Sequence, residues 1–544
     1  MELEFETRTT AYLRRSVHGV CRQEQTQEVI VPDASPDASR VVYCCAQAIV
    51  RSKDCLNGAV QISGTVQAST IYCTNSDENA RVLTAQLPFT LRLEAAEARE
   101  DTQVTFDCRV LCAEAMLVNS RKVLFRVQVG AEIFGYAKDA MELPLLKQTP
   151  KELQLRCSTY PLPLAAETAE RSFQVSEELE LPAGRPEVED VIAASVIPEI
   201  TEQRLLGSKA VFKGTMQLKV LYQAPDGSVN CFSQNLPFSQ YCQLEADYDD
   251  EGMRMWMGIT GCEVQLERGE RPRLLLRADL LAQCLVTRTV ELTVCEDAFG
   301  AGALLKPEWT ELSFEGCLDR QVQRMSVRES VDGAALRGVI DSEIFVDFPR
   351  VEPGGTGARI TVPVAVRALG LGLDGALCGV AGTVAATSEL AMDRGARCEA
   401  SAVQCPDGYA SPGTQGVEVR YELALDLSAC REQTLRTLSG GTLEPPAQAG
   451  RRPSVILRTI TERCAAWDIA RQYGTRVEAL CTANALSDGD VEAGTLLLIP
   501  MAEGGKATWK STASMNRLPH APEGASTSAW SARCGRENRH SSNG

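Results

Sequence analysis

A chain of 544 residues has room for roughly three to five domains, and a hydrophobic fraction of 44% supplies material for their cores. Its 72 acidic against 55 basic side chains leave a formal charge of −17, which repels phosphate backbones and weighs against a nucleic-acid partner. The start, Met1-Glu2-Leu3-Glu4-Phe5-Glu6, is acidic and alternating, without the basic start and apolar run of a secretory signal. No stretch reaches the ~18 apolar residues of a membrane span, so the chain is expected to stay in the compartment where it is made.

The chain opens on a duplication. Val31-Pro32-Asp33-Ala34-Ser35-Pro36-Asp37 is answered by Leu181-Pro182-Ala183-Gly184-Arg185-Pro186-Glu187, with Pro32 and Pro182 150 residues apart. The same offset of 150 separates Gly64-Thr65-Val66-Gln67 and Tyr72 from Gly214-Thr215-Met216-Gln217 and Tyr222. Leu87-Pro88-Phe89 returns as Leu236-Pro237-Phe238, and Lys122 and Arg126 return as Arg273 and Arg277. A near-constant offset through separate motifs marks an internal repeat. Around each glycine, apolar residues alternate with polar ones from Val60 to Tyr72 and from Ala210 to Tyr222, the period of a long half-buried strand. Mid-strand glycine signals a bulge or a close backbone approach. A second strand follows in each copy, Val123–Val129 and Leu274–Leu280. The Pro-rich segments cannot sit inside a sheet and read as lead-ins or turns. Asp33 and Asp37 are too few for a calcium cage, and Tyr72 and Tyr222 read as packing residues.

A third, worn copy is expected downstream, where Ala334, Leu336, Gly338, Ile340, Ile344 and Val346 alternate with charged residues and Ala358–Val364 forms another strand-like run. The segment from Ser439-Gly440-Gly441 through Pro445-Pro446 to Pro453 reads as a linker. Then Val455–Ile460 reads as a strand and Trp467–Tyr473 as a short helix with Gly474 at its C-cap. Thr475 is placed to cap a second helix, Val477–Thr482; Asn484-Ala485-Leu486 reads as a turn and Gly494–Pro500 as a closing strand. Beyond residue 502 the chain is polar, without hydrophobic period and net basic, and disorder is expected there.

Catalytic chemistry is hard to assemble. Of three histidines, His18 lies near the start and His520 and His540 in the tail, so no Ser/His/Asp or Cys/His arrangement emerges from the body. A phosphate-cradling Gly-rich loop is missing. Asp249-Asp250-Glu251 reads as a solvated acidic turn. The 21 cysteines include no Cys-x-x-Cys pair; scattered through apolar runs, as Cys284 is, they read as reduced, small core residues. No enzyme activity, cofactor or metal is expected.

The C-terminal unit resembles a LysM domain on Trp467, Ile469-Ala470, Tyr473-Gly474-Thr475, Val477, Leu480, Asn484, Leu486, Gly494 and Leu496–Pro500. That family commonly binds N-acetylglucosamine-containing glycans through the loop before its first helix and the loop before its last strand. Here Arg463-Cys464-Ala465-Ala466 stands where the family carries Gly-Asp-Thr-Leu, which strips polar groups from the rim of the implied sugar groove. The front of the chain resembles the SPOCS domain of spore-coat morphogenetic proteins, on Met1-Glu2-Leu3-Glu4, the Val31–Asp37 motif, the Gly64–Tyr72 strand, Leu87-Pro88-Phe89 and Asn119-Ser120-Arg121-Lys122-Val123.

The resulting expectation is a mainly β chain: tandem β-rich SPOCS-like repeats followed by a small α+β (βααβ) LysM domain. Boundaries are expected at 1–150, 151–300 and 301–440 for three repeats, 441–453 for the linker, 454–502 for LysM and 503–544 for the tail. The resemblance implies a non-enzymatic scaffold of the spore coat in the mother-cell cytoplasm, at the forespore surface, whose LysM binds the spore-coat ATPase scaffold rather than a glycan. A peptidoglycan-binding protein of the wall or cortex is the alternative, and a cryptic enzyme a distant third. The partner surface is expected around Arg463, Trp467, Ile469, Arg471, Tyr473, Arg476 and Asn484. There the three arginines frame an apolar patch, while Ile469, Tyr473 and Leu480 mainly hold the core.

Overall fold

The computed structural model describes residues 1–74, 80–249, 252–269, 272–393, 395–445, 453–486 and 489–501, with only the backbone at 315–319 and 404. Residues 446–452 of the expected linker, the tail from 502 with His520 and His540, and Asp250 and Glu251 lie outside the described residues. Two compact units divide at Ala447/Gln448.

The first unit is built from strands. β1 (Phe5–Ile30), β2 (Ala38–Leu56), β3 (Ala59–Thr74), β4 (Arg81–Glu94), β5 (Gln103–Asn119) and β6 (Lys122–Leu146) form a first group. A second group holds β7 (Leu153–Leu179), β8 (Asp190–Gln223), β9 (Val229–Tyr248), β10 (Gly252–Glu267) and β11 (Arg273–Gly300). The third holds β12 (Leu304–Val331), β13 (Leu336–Val346), β14 (Arg350–Pro353), β15 (Gly357–Gly372), β16 (Leu377–Ala391), β17 (Arg397–Gln404), β18 (Tyr409–Pro412) and β19 (Val417–Glu444).

One topology runs through all three groups. The long opening strand pairs antiparallel with the long closing strand: β1 with β6, β7 with β11, β12 with β19. Those ladders gain β5, β10 and β17, respectively, as further neighbours. The middle strands make a separate sheet, β2-β3-β4 in the first group and β13-β15-β16 in the third. In β8 the segment before Gly207 (φ +56) lies beside the segment after it, because Gly214 abuts the carbonyl of Glu199; β9 pairs the later segment. A hydrophobic core lies in each group, centred on Tyr72, Phe106 and Phe125 in the first, Phe212 and Tyr222 in the second, and Ile360, Val364 and Leu425 in the third.

The duplication has a structural signature. A Cβ on Gly64 would stand 2.3 Å from the Ile49 carbonyl oxygen, and one on Gly214 2.0 Å from that of Glu199. In both copies the ring of the Leu-Pro-Phe motif, Phe89 or Phe238, fills the space that a side chain would occupy. Tyr72 and Tyr222 are fully buried, and Tyr222 Oη donates to the Pro186 carbonyl of the Pro-rich lead-in at 3.2 Å.

The third copy orders its strands in its own way, and one boundary beyond it needs correction. The alternating run to Val346 is an edge strand, β13, and the central place held by β3 in the first copy belongs to β15. Edge and centre both alternate, so the period does not separate them. The expected linker from 441 begins inside β19, whose Gly441 to Glu444 pair with Pro307 to Leu304. Two glycines suggested a break, but Gly441 adopts φ +143 and continues the ladder.

The Pro-rich turn is organised by an arginine. Arg121 donates to the carbonyls of Val31 (3.0 Å), Pro32 (2.9 Å) and Ser35 (2.7 Å) and to Asp33 (3.3 Å) and Asp37 (3.2 Å). Asp37 also accepts from Ser120 Oγ at 2.8 Å. The two carboxylates therefore face a guanidinium.

The second unit contains β20 (Val455–Thr459), β21 (Cys464–Ala465), α1 (Ala466–Tyr473), α2 (Val477–Asn484), β22 (Asp490–Val491) and β23 (Leu496–Pro500). β20 pairs β23 and β21 pairs β22, giving a βααβ frame with a short second ladder beside it. Among the described residues no helix is long and apolar enough to cross a membrane.

Candidate binding module

The first helix of the C-terminal unit starts without a side-chain cap. Ala465 holds the N-cap position in extended conformation, and the backbone N–H of Ala466 is met instead by the carbonyl of Gly489 on the opposite loop. That bond continues the β21–β22 pairing and meets the first orphan N–H of the helix. Gly474, in the left-handed region at φ 62, closes α1. Thr475 is not the cap of α2: Arg476 is the N-cap residue and makes no side-chain cap bond. The buried Thr475 hydroxyl donates to the Pro500 carbonyl and ties the interhelical turn to β23. α2 runs two residues further than its apolar pattern suggests, to Asn484, and Ala485 takes the left-handed C-cap.

The expected partner residues separate into two sets. Ile469 is buried in the module core beside Ala466, Ala470 and Leu480. Asn484 is occupied internally: its Nδ2 donates to the carbonyls of Leu480 (2.8 Å) and Leu498 (2.6 Å), and its Oδ1 accepts from Leu498 N–H at 2.7 Å. It staples α2 to β23 rather than ending in a solvent-facing turn. Tyr473 and Trp467 are half-buried. The Tyr473 hydroxyl accepts from Arg458 Nη1 at 3.0 Å, and that guanidinium lies 5.7 Å from the ring centroid. Arg463, Arg471 and Arg476 are exposed. Arg463 reaches Asp490 at 2.9 Å and Glu492 at 3.6 Å, tying the stretch before α1 to the stretch before β23.

Sequence reasoning missed one surface. Val455, Leu457 and Leu496 are 40%, 64% and 64% exposed on the outer face of the β20–β23 ladder, while Leu497 and Ile499 on its inner face are fully buried. The uninterrupted apolar run Val455-Ile456-Leu457 was the available signal, since a strand with one solvated face ordinarily alternates.

His18 does gather polar neighbours in the first unit. Its Nε2 lies 3.1 Å from Glu132 Oε1, and Ser401 Oγ donates to Glu132 Oε2 at 3.1 Å. The serine thus bonds to the carboxylate rather than to the imidazole, which stacks on Phe134 at 4.7 Å, and this is not the order that activates a nucleophile. Among the described residues no group of three or more His, Cys, Asp or Glu side chains is placed to hold a metal.

Comparison with known families agrees with this geometry. Residues 37–118 and 187–267 match the SipL, SPOCS domain model, and residues 466–500 match the LysM domain model. The two SPOCS matches start 150 residues apart and take in β2–β5 and β8–β10. No significant match exists among curated proteins or solved structures. The chain carries two SPOCS domains and a C-terminal LysM domain, a sporulation-related architecture made of non-catalytic binding domains, with a module of glycan-binding type at its end.

Proposed function

We propose that this protein is a non-enzymatic scaffold of spore-coat assembly, working from the mother-cell cytoplasm at the forespore surface. In this reading the residues near 1–150, 151–300 and 301–440 are three SPOCS-like domains, the last degenerate. Their surfaces engage coat proteins, and the LysM module binds a coat morphogenetic protein, the spore-coat ATPase scaffold by family resemblance. The observation that carries the proposal is the α1 entry loop, where Ala465 offers no polar side chain and the Gly489 carbonyl is turned inward to Ala466. A sugar groove needs placed polar groups to fix its ligand, whereas a protein interface draws its energy from a few apolar or Arg anchors. Arg463, Arg471 and Arg476 supply such anchors.

The LysM match itself favours a second reading, a peptidoglycan- or N-acetylglucosamine-binding protein of the wall or cortex. A pull-down from sporulating cells, with the full chain and with a chain lacking 454–544, separates the two. Loss of one coat protein from the truncated bait supports the scaffold. Normal spores with an intact coat after deletion, together with retention of the module on purified peptidoglycan, overturns it.

A further inference from the structure

The three strand groups of the first unit meet at a buried polar cluster that neither binding reading uses. Lys219 on β8 reaches Asp341 and Glu343 on β13, with Nζ 3.2 Å from Asp341 Oδ1 and hydrogen-bonded to Glu343 Oε1. The three side chains are only 18%, 3% and 12% exposed. Tyr43 from β2 donates its hydroxyl to Asp341 Oδ2 at 2.8 Å, and the Cys231 thiol from β9 donates to Asp341 Oδ1 at 3.5 Å. A bulge interrupts the β13–β15 ladder between Val339 and Asp341, just where Asp341 enters the cluster, and such bulges re-aim side chains. Beside the cluster lies a cavity of about 220 Å³ whose wall includes Lys219, Asp341 and Glu343.

The chemistry of this arrangement is specific. Three ionised groups here would leave one net negative charge out of water, which is costly. Burial pushes the Glu343 carboxyl up, against the pull of Lys219. Burial also works against the Lys219 ammonium, but the charges of Asp341 and Glu343 outweigh it and push that group up, so the ion pair is the resting form. Passing one proton from Lys219 to a carboxyl leaves an amine against a neutral acid with no change in net charge, and low polarity reduces the cost of reaching that neutral pair. The amine and the acid are then held in contact as one intramolecular pair, which removes the entropic barrier to their reaction. Tyr43 and Cys231 aim two donors at the Asp341 oxygens, where negative charge develops on attack.

We propose that Lys219 and Asp341 condense into an intramolecular isopeptide bond, with Glu343 as the proton shuttle, covalently joining the second strand group to the third. The Lys219 Nζ–Asp341 Cγ bond forms and the Asp341 Cγ–OH bond breaks. Glu343 first relays one ammonium proton from Nζ to an Asp341 oxygen, which makes the hydroxyl, and after attack relays a second Nζ proton to that hydroxyl, which leaves as water into the adjoining cavity. No oxidant, cofactor or second substrate is required. The bond closes a loop of the chain from β8 to β13 and fixes two repeats against mechanical separation.

Mass spectrometry of the full chain, reduced and alkylated, tests the proposal. The expected mass is lower than the sequence mass by one water. Trypsin is expected to spare Lys219 and release a branched peptide that carries both Lys219 and Asp341. Glu343→Gln, which keeps the shape and a hydrogen-bonding group, is expected to restore the sequence mass, as is Lys219→Met. A folded wild-type chain at the sequence mass with Lys219 cleaved by trypsin overturns the proposal. So does a one-water deficit that maps to a succinimide at Asp341-Ser342. A branched peptide persisting in Glu343→Gln overturns the shuttle role. The wild-type measurement decides the bond even if either variant fails to fold.

Discussion

The ring of Phe89 occupies the place of the side chain that Gly64 lacks: a Cβ on the glycine would sit 2.6 Å from Phe89 Cζ. Gly214 and Phe238 repeat the relationship at 2.6 Å. The Leu-Pro-Phe motif and the mid-strand glycine are thus one packing device seen twice. Gly64→Ala and Gly214→Ala each force the new methyl into a backbone carbonyl and a ring, and overpacking of this kind costs about 1–3 kcal/mol. Gly338→Ala, with nothing within 4 Å of the added atom, is the matched control and is expected to be near neutral. Urea unfolding midpoints of the three variants check this.

Arg121→Ala removes five donor contacts that hold the Val31–Asp37 turn. The arginine is partly exposed, so water takes over some of them, and a loss of about 1–2 kcal/mol is expected. Hydrogen exchange at Ser35 and Ala38, whose amides bond to Pro32 and Ser120, should accelerate while β3 remains protected. Unchanged exchange there would show that the turn is set by its prolines alone.

Asn484→Ala is expected to destabilise the LysM unit by about 1–3 kcal/mol, because it strips partners from the backbone groups of Leu498 and Leu480. Arg463→Glu with Arg471→Glu is expected to leave the melting temperature of that unit nearly unchanged, since exposed pairs contribute about 0–1 kcal/mol. The double variant should nonetheless lose the protein partner. Retained partnership alongside binding of chitin oligomers would place the working face in the sugar groove.

Asp426 sets an acid limit on the first unit. Burial pushes its carboxyl up, but the Arg320 hydrogen bond and the charges of Arg254 and Arg320 outweigh it and hold the group below the usual carboxylate range. A depressed folded pKa contributes stability that is complete above the unfolded value of about 4 and is lost as pH falls through the folded value. Thermal melts of the wild type should therefore decline below about pH 4 more steeply than those of Asp426→Asn. Parallel profiles for the two proteins would remove Asp426 from this role.

The cysteines should differ sharply in reactivity. Burial pushes the thiols of Cys44 and Cys262 up to about 12, whereas Cys157 is exposed. Only the thiolate alkylates readily. Iodoacetamide at about pH 8, near the ordinary thiol range, is expected to label Cys157 well before Cys44 or Cys262 in the folded chain, with the difference vanishing in denaturant. Peptide mapping across a time course reads this directly.

The strands, the duplication and the LysM frame are legible in the residue pattern alone. Period-two alternation follows from the pleat wherever one face is buried, and the spacing of Gly64, Tyr72 and Leu-Pro-Phe repeats because the same close approach must be built twice. The helices around Ile469 and Leu480 declared themselves through apolar spacing and the glycine that ends α1. Tertiary structure alone decided which alternating strand is central: β13 and β15 carry the same period, and only hydrogen-bonded neighbours distinguish an edge from a middle. It alone joined the Val31–Asp37 turn to Arg121, and it alone turned Asn484 from a turn residue into a staple, because an amide's partners on a distant strand leave no trace in local spacing. The cluster of Lys219, Asp341 and Glu343 belongs to the same class. Each residue is an ordinary polar position of its own strand, and their chemistry arises only where the packing of repeats shuts them away from water.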